Sequence, residues 1–152
     1  MEIFKEKKKE DFRIVIFPMG KNHIGLSHVK NYALILYPRE DEYSKLGKLI
    51  LWALDESDNE IFESMGVGNY SKKYFNRTSY SRVLRDYNLI NFVFFNEEYV
   101  LTIHKKVGRS FASYTTDEEE FEYKFKEKPT PYELGLKVME MFEYKERYDG
   151  LE

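Results

Sequence analysis

The sequence predicts an α+β fold, a central, largely antiparallel β-sheet covered by two main amphipathic helices. Three observations point there. From Leu89 to Thr116, three runs rich in β-branched and aromatic residues are joined by short polar connections, which is the pattern of a β-meander. Glu40 to Glu56 and Thr130 to Arg147 each carry apolar residues at helical spacing. Isolated hairpins are only marginally stable in water, so the strands need an apolar cover and the helices supply one.

Taken in order, Met1 to Glu10 mixes Lys and Glu and reads as a frayed, solvated end. Asp11 to Met19 predicts a first strand, stopped by Pro18 and Gly20. Lys21 to Lys30 reads as a loop. The unbroken apolar run Tyr32 to Tyr37 predicts a second strand buried on both faces. In the first helix Leu46, Leu49, Ile50, Ala53 and Leu54 share one face, Asp41 and Glu42 suit its start, and Gly47 points to close packing on a neighbour. Ser57 to Asn69 is turn-like, and Ser79 to Asp86 reads equally as a helical turn or the entry to the meander. After the meander, Glu120 to Lys126 alternates strictly, with Phe121, Tyr123 and Phe125 facing in. Thr130-Pro131-Tyr132-Glu133 has the spacing of a capping box with proline at the first helical position, and Leu134, Val138, Met141 and Phe142 form the buried stripe behind it. The two helices echo each other in Leu46-Gly47 and Leu134-Gly135, as two helices packed through small residues would.

At 152 residues the chain is expected to form one domain, 1–152, that buries roughly two thirds of its unfolded surface. The lack of cysteine rules out disulfides, Cys-ligated zinc and a thiol nucleophile. No run approaches the ~20 apolar residues of a membrane span, so a cytoplasmic protein is expected.

Chemistry is sparse. His23 and His28 are five apart and do not share a helix face, and His104 lies in a strand, so no metal site is expected. Gly66-Val67-Gly68 lacks the third glycine of a phosphate loop, and the serines show no nucleophile elbow. No carboxylate pair sits in an apolar context suited to acid catalysis. These absences predict a protein that is not an enzyme and needs no cofactor.

Charge carries more information. The first 30 residues are net positive and the remaining 122 carry a net −6. One acidic cluster is Asp55, Glu56, Asp58, Glu60 and Glu63; a second is Asp117, Glu118, Glu119, Glu120 and Glu122. The first lacks the glycine at position six and the glutamate at position twelve of an EF-hand loop, which leaves a solvated face or a docking surface for a basic partner. Between the clusters lies a basic, tyrosine-rich stretch with Lys72, Lys73, Arg77, Arg82 and Arg85, where Tyr70, Tyr74 and Tyr80 would stack on bases in a nucleic-acid-binding reading. The pI of 5.8 and the lack of a known binding motif speak against that alternative.

The small, acidic, cysteine-free chain resembles immunity proteins of bacterial contact-dependent growth inhibition systems. The features that carry the resemblance are the early strand, the helix Leu46 to Leu54, the Tyr80-Ser81-Arg82 segment leading into the central sheet, and the closing helix introduced by Pro131 to Gly135. The resemblance implies a cytoplasmic protein that binds the toxic C-terminal domain of its cognate effector, often a nuclease, and blocks its active site or substrate surface. It supplies no fixed functional residues. Charge does: a nuclease presents Lys and Arg to phosphates, so clustered carboxylates can occupy that surface. The expected contact set is therefore Asp55, Glu56, Asp58, Glu60 and Glu63, then Asp117 to Glu120, with Phe62 and Tyr70 as aromatic anchors.

Overall fold

The computed structural model describes residues 1–39, 41–63, 67–114 and 120–150, without the side chains of 67–69. Its elements run β1 (Glu2–Glu6), β2 (Ile14–Phe17), β3 (Met19–Lys21), β4 (Ser27–Val29), β5 (Leu34–Leu36), α1 (Tyr43–Asp55), α2 (Val67–Phe75), α3 (Tyr80–Asp86), β6 (Tyr87–Phe95), β7 (Glu98–Val107), β8 (Ser110–Ser113), β9 (Glu122–Phe125) and α4 (Pro131–Tyr148). The α+β class is as the sequence predicts. Seven strands form one antiparallel sheet in the order β5-β2-β1-β6-β7-β8, with β9 also paired to β7; β3 and β4 form a separate hairpin.

The expected frayed N-terminus is instead the central strand. β1 pairs β2 on one side and β6 on the other, Glu6 lying opposite Tyr87 and Glu2 opposite Asn91. The reason lies in two alternating residues. Ile3 is fully buried on one face and Phe4 is 2 % exposed on the other, while Lys5 is held by an ion pair to Glu146 of α4 and lies 4.3 Å from the Phe12 ring centroid. The run of charges after Glu6 conceals a strand only five residues long.

The same alternation runs through β2 and β6 and creates two cores. Ile3, Ile14, Ile16, Ile90 and Phe92 face α1 and α4. Phe4, Val15, Phe17, Tyr87 and Leu89 face a smaller aromatic core built with Tyr70, Tyr74, Phe75 and Val83 of α2 and α3. Several of its rings meet edge-on, as quadrupoles prefer, with Phe4 4.8 Å from Phe75 and Phe75 5.0 Å from Tyr87. The expected pair of covering helices thus accounts for one face only. The segment expected to be turn-like ends in α2, which forms part of the cover on the other.

α1 and α4 cross antiparallel at their glycines. A Cβ added to Gly47 would lie 1.7 Å from the Pro131 carbonyl oxygen, and one added to Gly135 would lie 1.9 Å from that of Tyr43. The capping box is present: the Glu133 amide donates to Thr130 Oγ1 at 3.2 Å and the Thr130 amide to Glu133 Oε2 at 3.0 Å. All four stripe residues of α4 are buried.

The Tyr32 to Tyr37 run fails its expectation. It becomes the three-residue edge strand β5, with Ile35 41 % and Tyr37 55 % exposed, because only β2 flanks it. The expected loop at Lys21 to Lys30 is the β3–β4 hairpin, whose turn contains Gly25 at φ 81°.

Candidate functional site

The first acidic cluster gets its shape from the end of α1. Beyond Asp55 the chain turns back on β3: the Ser57 hydroxyl donates to the Ala53 carbonyl at 2.8 Å and accepts from the Met19 amide at 3.0 Å, and the Asp58 amide donates to the Met19 carbonyl at 3.0 Å. Further along, the Lys21 amide donates to the Glu60 carbonyl and the Phe62 amide to the Lys21 carbonyl, each at 3.0 Å. The loop is therefore a fixed flank of the β3–β4 hairpin. Its backbone groups are satisfied by β3, which leaves the carboxylates for the outside.

The five carboxylates are not equivalent. Asp55, Glu60 and Glu63 are exposed. Asp58 is paired to Lys30 at 2.7 Å, and that ammonium holds its carboxyl below the usual range. Glu56 accepts a long hydrogen bond of 3.3 Å from the Tyr32 hydroxyl. Pairing at Asp58 reduces the field of the cluster, so the part available to a partner is Asp55, Glu60 and Glu63.

Between this loop and β6 lies an open groove of about 590 Å³ whose walls include Asp55, Asp58, Leu54, Met1, Phe94 and Tyr99. Carboxylates rim one side and aromatic rings the other. Phe94 is 55 % exposed and its ring centroid lies 4.6 Å from that of Tyr99, its partner across the hairpin. Beyond them the turn residues Asn96 and Glu97 take φ of 50° and 63°, the left-handed pair of a two-residue hairpin turn, and Phe95 is 66 % exposed. The hairpin runs past the cover of the helices, so both neighbouring phenylalanines reach solvent.

The structure corrects one expected anchor and half-buries the other. Tyr70 is 9 % exposed and stacks on Phe17 at 5.0 Å inside the second core. Phe62 is half-buried against Gly20, where an added Cβ would meet its ring at 3.0 Å. The exposed aromatic beside the carboxylates is Phe94, on the groove wall; Phe95, its neighbour in the strand, alternates away from it. The one sequence signal for it was two adjacent phenylalanines followed directly by a tight polar turn.

Asp117, Glu118 and Glu119 lie outside the described residues. Glu120 is exposed and shares a shallow cavity of about 270 Å³ with Lys137 and Arg147 of α4. The adjacent Phe121 packs on Tyr144 and Tyr148 near the C-terminal end of α4. Because α1 and α4 are antiparallel, this is the opposite end of the helix pair from Asp55, and Glu120 does not join the groove.

The basic segment is divided by the fold. Arg77 bridges Glu6 at 2.6 Å and Asp86 at 2.8 Å, and Arg85 binds Asp86 at 2.6 Å. Asp86, held by both guanidiniums with Arg85 the stronger influence, is lowered to about 2. Tyr74 is 4 % exposed and donates to the Asn31 carbonyl. With Tyr70 and Tyr74 inside the core, the stacking platform required by the nucleic-acid reading is missing, and of the five cations only Lys72, Lys73 and Arg82 are exposed without a carboxylate partner among the described residues.

The sequence matches no family model and no curated protein. Solved structures do match. One is a chain of the CdiA-CT/CdiI toxin and immunity complex from Yersinia pseudotuberculosis, with a TM-score of 0.64 at 6% identity over 93% of this chain and 95% of that one. The fold is that of a chain from a toxin and immunity complex. A protein of unknown function from Neisseria meningitidis, NMB0488, shares it with a TM-score of 0.63 at 12% identity, covering 94% of this chain and 93% of the other. At these identities the likeness is one of fold, and no side chain of the groove is carried over from it. Among the described residues no helix is long and apolar enough to cross a membrane, and no three His, Cys, Asp or Glu side chains are grouped to hold a metal.

Proposed function

We propose that this chain is an immunity protein of a contact-dependent growth inhibition system. It binds the C-terminal toxin domain of its cognate effector in the cytoplasm and acts by stoichiometric occlusion, with no turnover and no cofactor. The observation that carries this reading is an acidic, aromatic-walled groove on a fold shared end to end with a chain of a toxin and immunity complex. The toxin is a nuclease in this reading, because the cations that a nuclease offers to phosphates are the natural complement of Asp55, Glu60 and Glu63. These three carboxylates steer encounter, while Phe94 supplies the desolvated contact that lengthens residence.

The test is co-purification with the C-terminal domain of the effector encoded immediately upstream, followed by stopped-flow association at several salt concentrations. A stoichiometric complex that protects cells from that domain is expected. Replacing Asp55, Glu60 and Glu63 by amides slows association about tenfold at low salt and flattens its salt dependence. Absence of a complex refutes the immunity reading; an intact complex with unchanged association rates refutes the carboxylate patch alone.

A further inference from the structure

A second cavity, of about 310 Å³, lies on the other face of the sheet, between the start of β1, the β4 strand and the α2–α3 cover. Its polar wall is rich in acceptors. Glu2 projects from β1 on the same face as Phe4, and its carboxylate has no hydrogen-bond or ion-pair partner among the described residues. The Tyr70 hydroxyl is fully enclosed and has no partner among them either. His28 places Nδ1 2.8 Å from the Val29 carbonyl oxygen; that contact requires a proton on Nδ1 and leaves Nε2 as an acceptor in the neutral ring. Ser27 already accepts from Lys21 at 3.1 Å. Phe4, Tyr70 and Tyr80 supply aromatic walls, and no Lys or Arg is among the described residues lining the cavity.

A carboxylate facing a cavity without a hydrogen-bond or ion-pair partner is costly, and so is an enclosed hydroxyl without a partner. Burial pushes the Glu2 carboxyl above its usual range, opposed first by the Met1 ammonium and then by His28. The same burial raises Tyr80 to about 12, with Glu2 adding to it, so both tyrosines stay protonated and neutral. The group that suits these features is an organic monocation: it neutralises Glu2, donates to His28, and rests against the faces of aromatic rings.

We infer that the cavity formed by Glu2, His28, Tyr70 and Tyr80 is a binding site for an alkylammonium or guanidinium group. Its volume is at the lower end for small-molecule pockets, sufficient for a lysine- or arginine-sized chain. The inference does not depend on the immunity reading.

The probes are n-butylammonium and ethylguanidinium, with n-pentanol as the neutral match, titrated into the full chain and followed by the ring-proton shifts of Tyr70 and Tyr80 and by the 13C shift of the Glu2 carboxyl. Saturable binding of a cation is expected, with little response to the alcohol and a Glu2 carboxyl that ionises at lower pH once the cation is bound. E2Q weakens the cation about tenfold or more and leaves the response to alcohol unchanged; Y70F weakens it less. Equal binding of n-pentanol, or full cation affinity in a folded E2Q, overturns the inference. Repeating the titration with the bound toxin domain separates two sources: displacement assigns the cation to a lysine or arginine of the partner, and undiminished binding assigns it to a free amine or guanidine.

Discussion

Placing one methyl group at the α1–α4 crossing tests the packing on which the groove depends. In Gly47→Ala the new Cβ lies 1.7 Å from the Pro131 oxygen and 2.5 Å from its carbonyl carbon, where ordinary contact begins near 3.4 Å. The neighbour is backbone at the first residue of a capped helix, so no side chain can rotate away. The helices must part by roughly 1.7 Å, loosening Leu46, Ile50, Leu134 and Val138 together. Overpacking of this kind costs about 3 kcal/mol or more, and alanine regains about 1 kcal/mol of helix preference, leaving a net loss of about 2 kcal/mol or more. For a chain of this size the midpoint of thermal unfolding falls by at least ~4 °C. Gly135→Ala, at 1.9 Å from the Tyr43 oxygen, behaves alike. The double variant costs less than the sum, because helices already parted accommodate both methyls. Circular dichroism under heat and urea provides the measurement. An alanine variant as stable as the parent at either position refutes the close crossing.

Phe94→Ala leaves stability almost unchanged, since the ring is more than half exposed, yet speeds dissociation from the toxin domain about tenfold or more in surface plasmon resonance. The Arg77–Asp86–Glu6 network gives a pH signature. Asp86 is lowered to about 2, so its stabilising contribution is present above its ordinary value of 3.8 and is lost as pH falls from there through about 2. Acid unfolding of Arg77→Ala therefore shows a weaker dependence on pH in that window, on a background destabilised by about 2–4 kcal/mol because Glu6 is left buried without its guanidinium. Glu2 has the opposite sign. Its folded carboxyl is raised, so stability declines as pH climbs from the unfolded value through the folded one, and E2Q is as stable as the parent or more so at neutral pH by the same unfolding measurement.

The sequence by itself determined what obeys local rules. The α4 capping box, its four-residue stripe and the three meander strands follow from spacings of two to four residues, and the paired Leu-Gly motifs located the helix crossing. The acidic cluster after α1 was legible for the same reason, being contiguous in the chain. Tertiary structure decided what depends on pairing between distant segments. β1 reads as a charged tail until Tyr87 to Asn91 provides its partner, and the apolar Tyr32 to Tyr37 run reads as core until the sheet ends beside it. A strand's place in a sheet is set by non-local hydrogen bonds and has no signature in its own few residues. The same holds for the anchors and the charges. Tyr70 and Arg77 look available in the sequence, but burial against Phe17 and salt bridges to Glu6 and Asp86 commit them to the fold, and the exposed ring beside the carboxylates belongs to a hairpin that only folding brings to the end of α1.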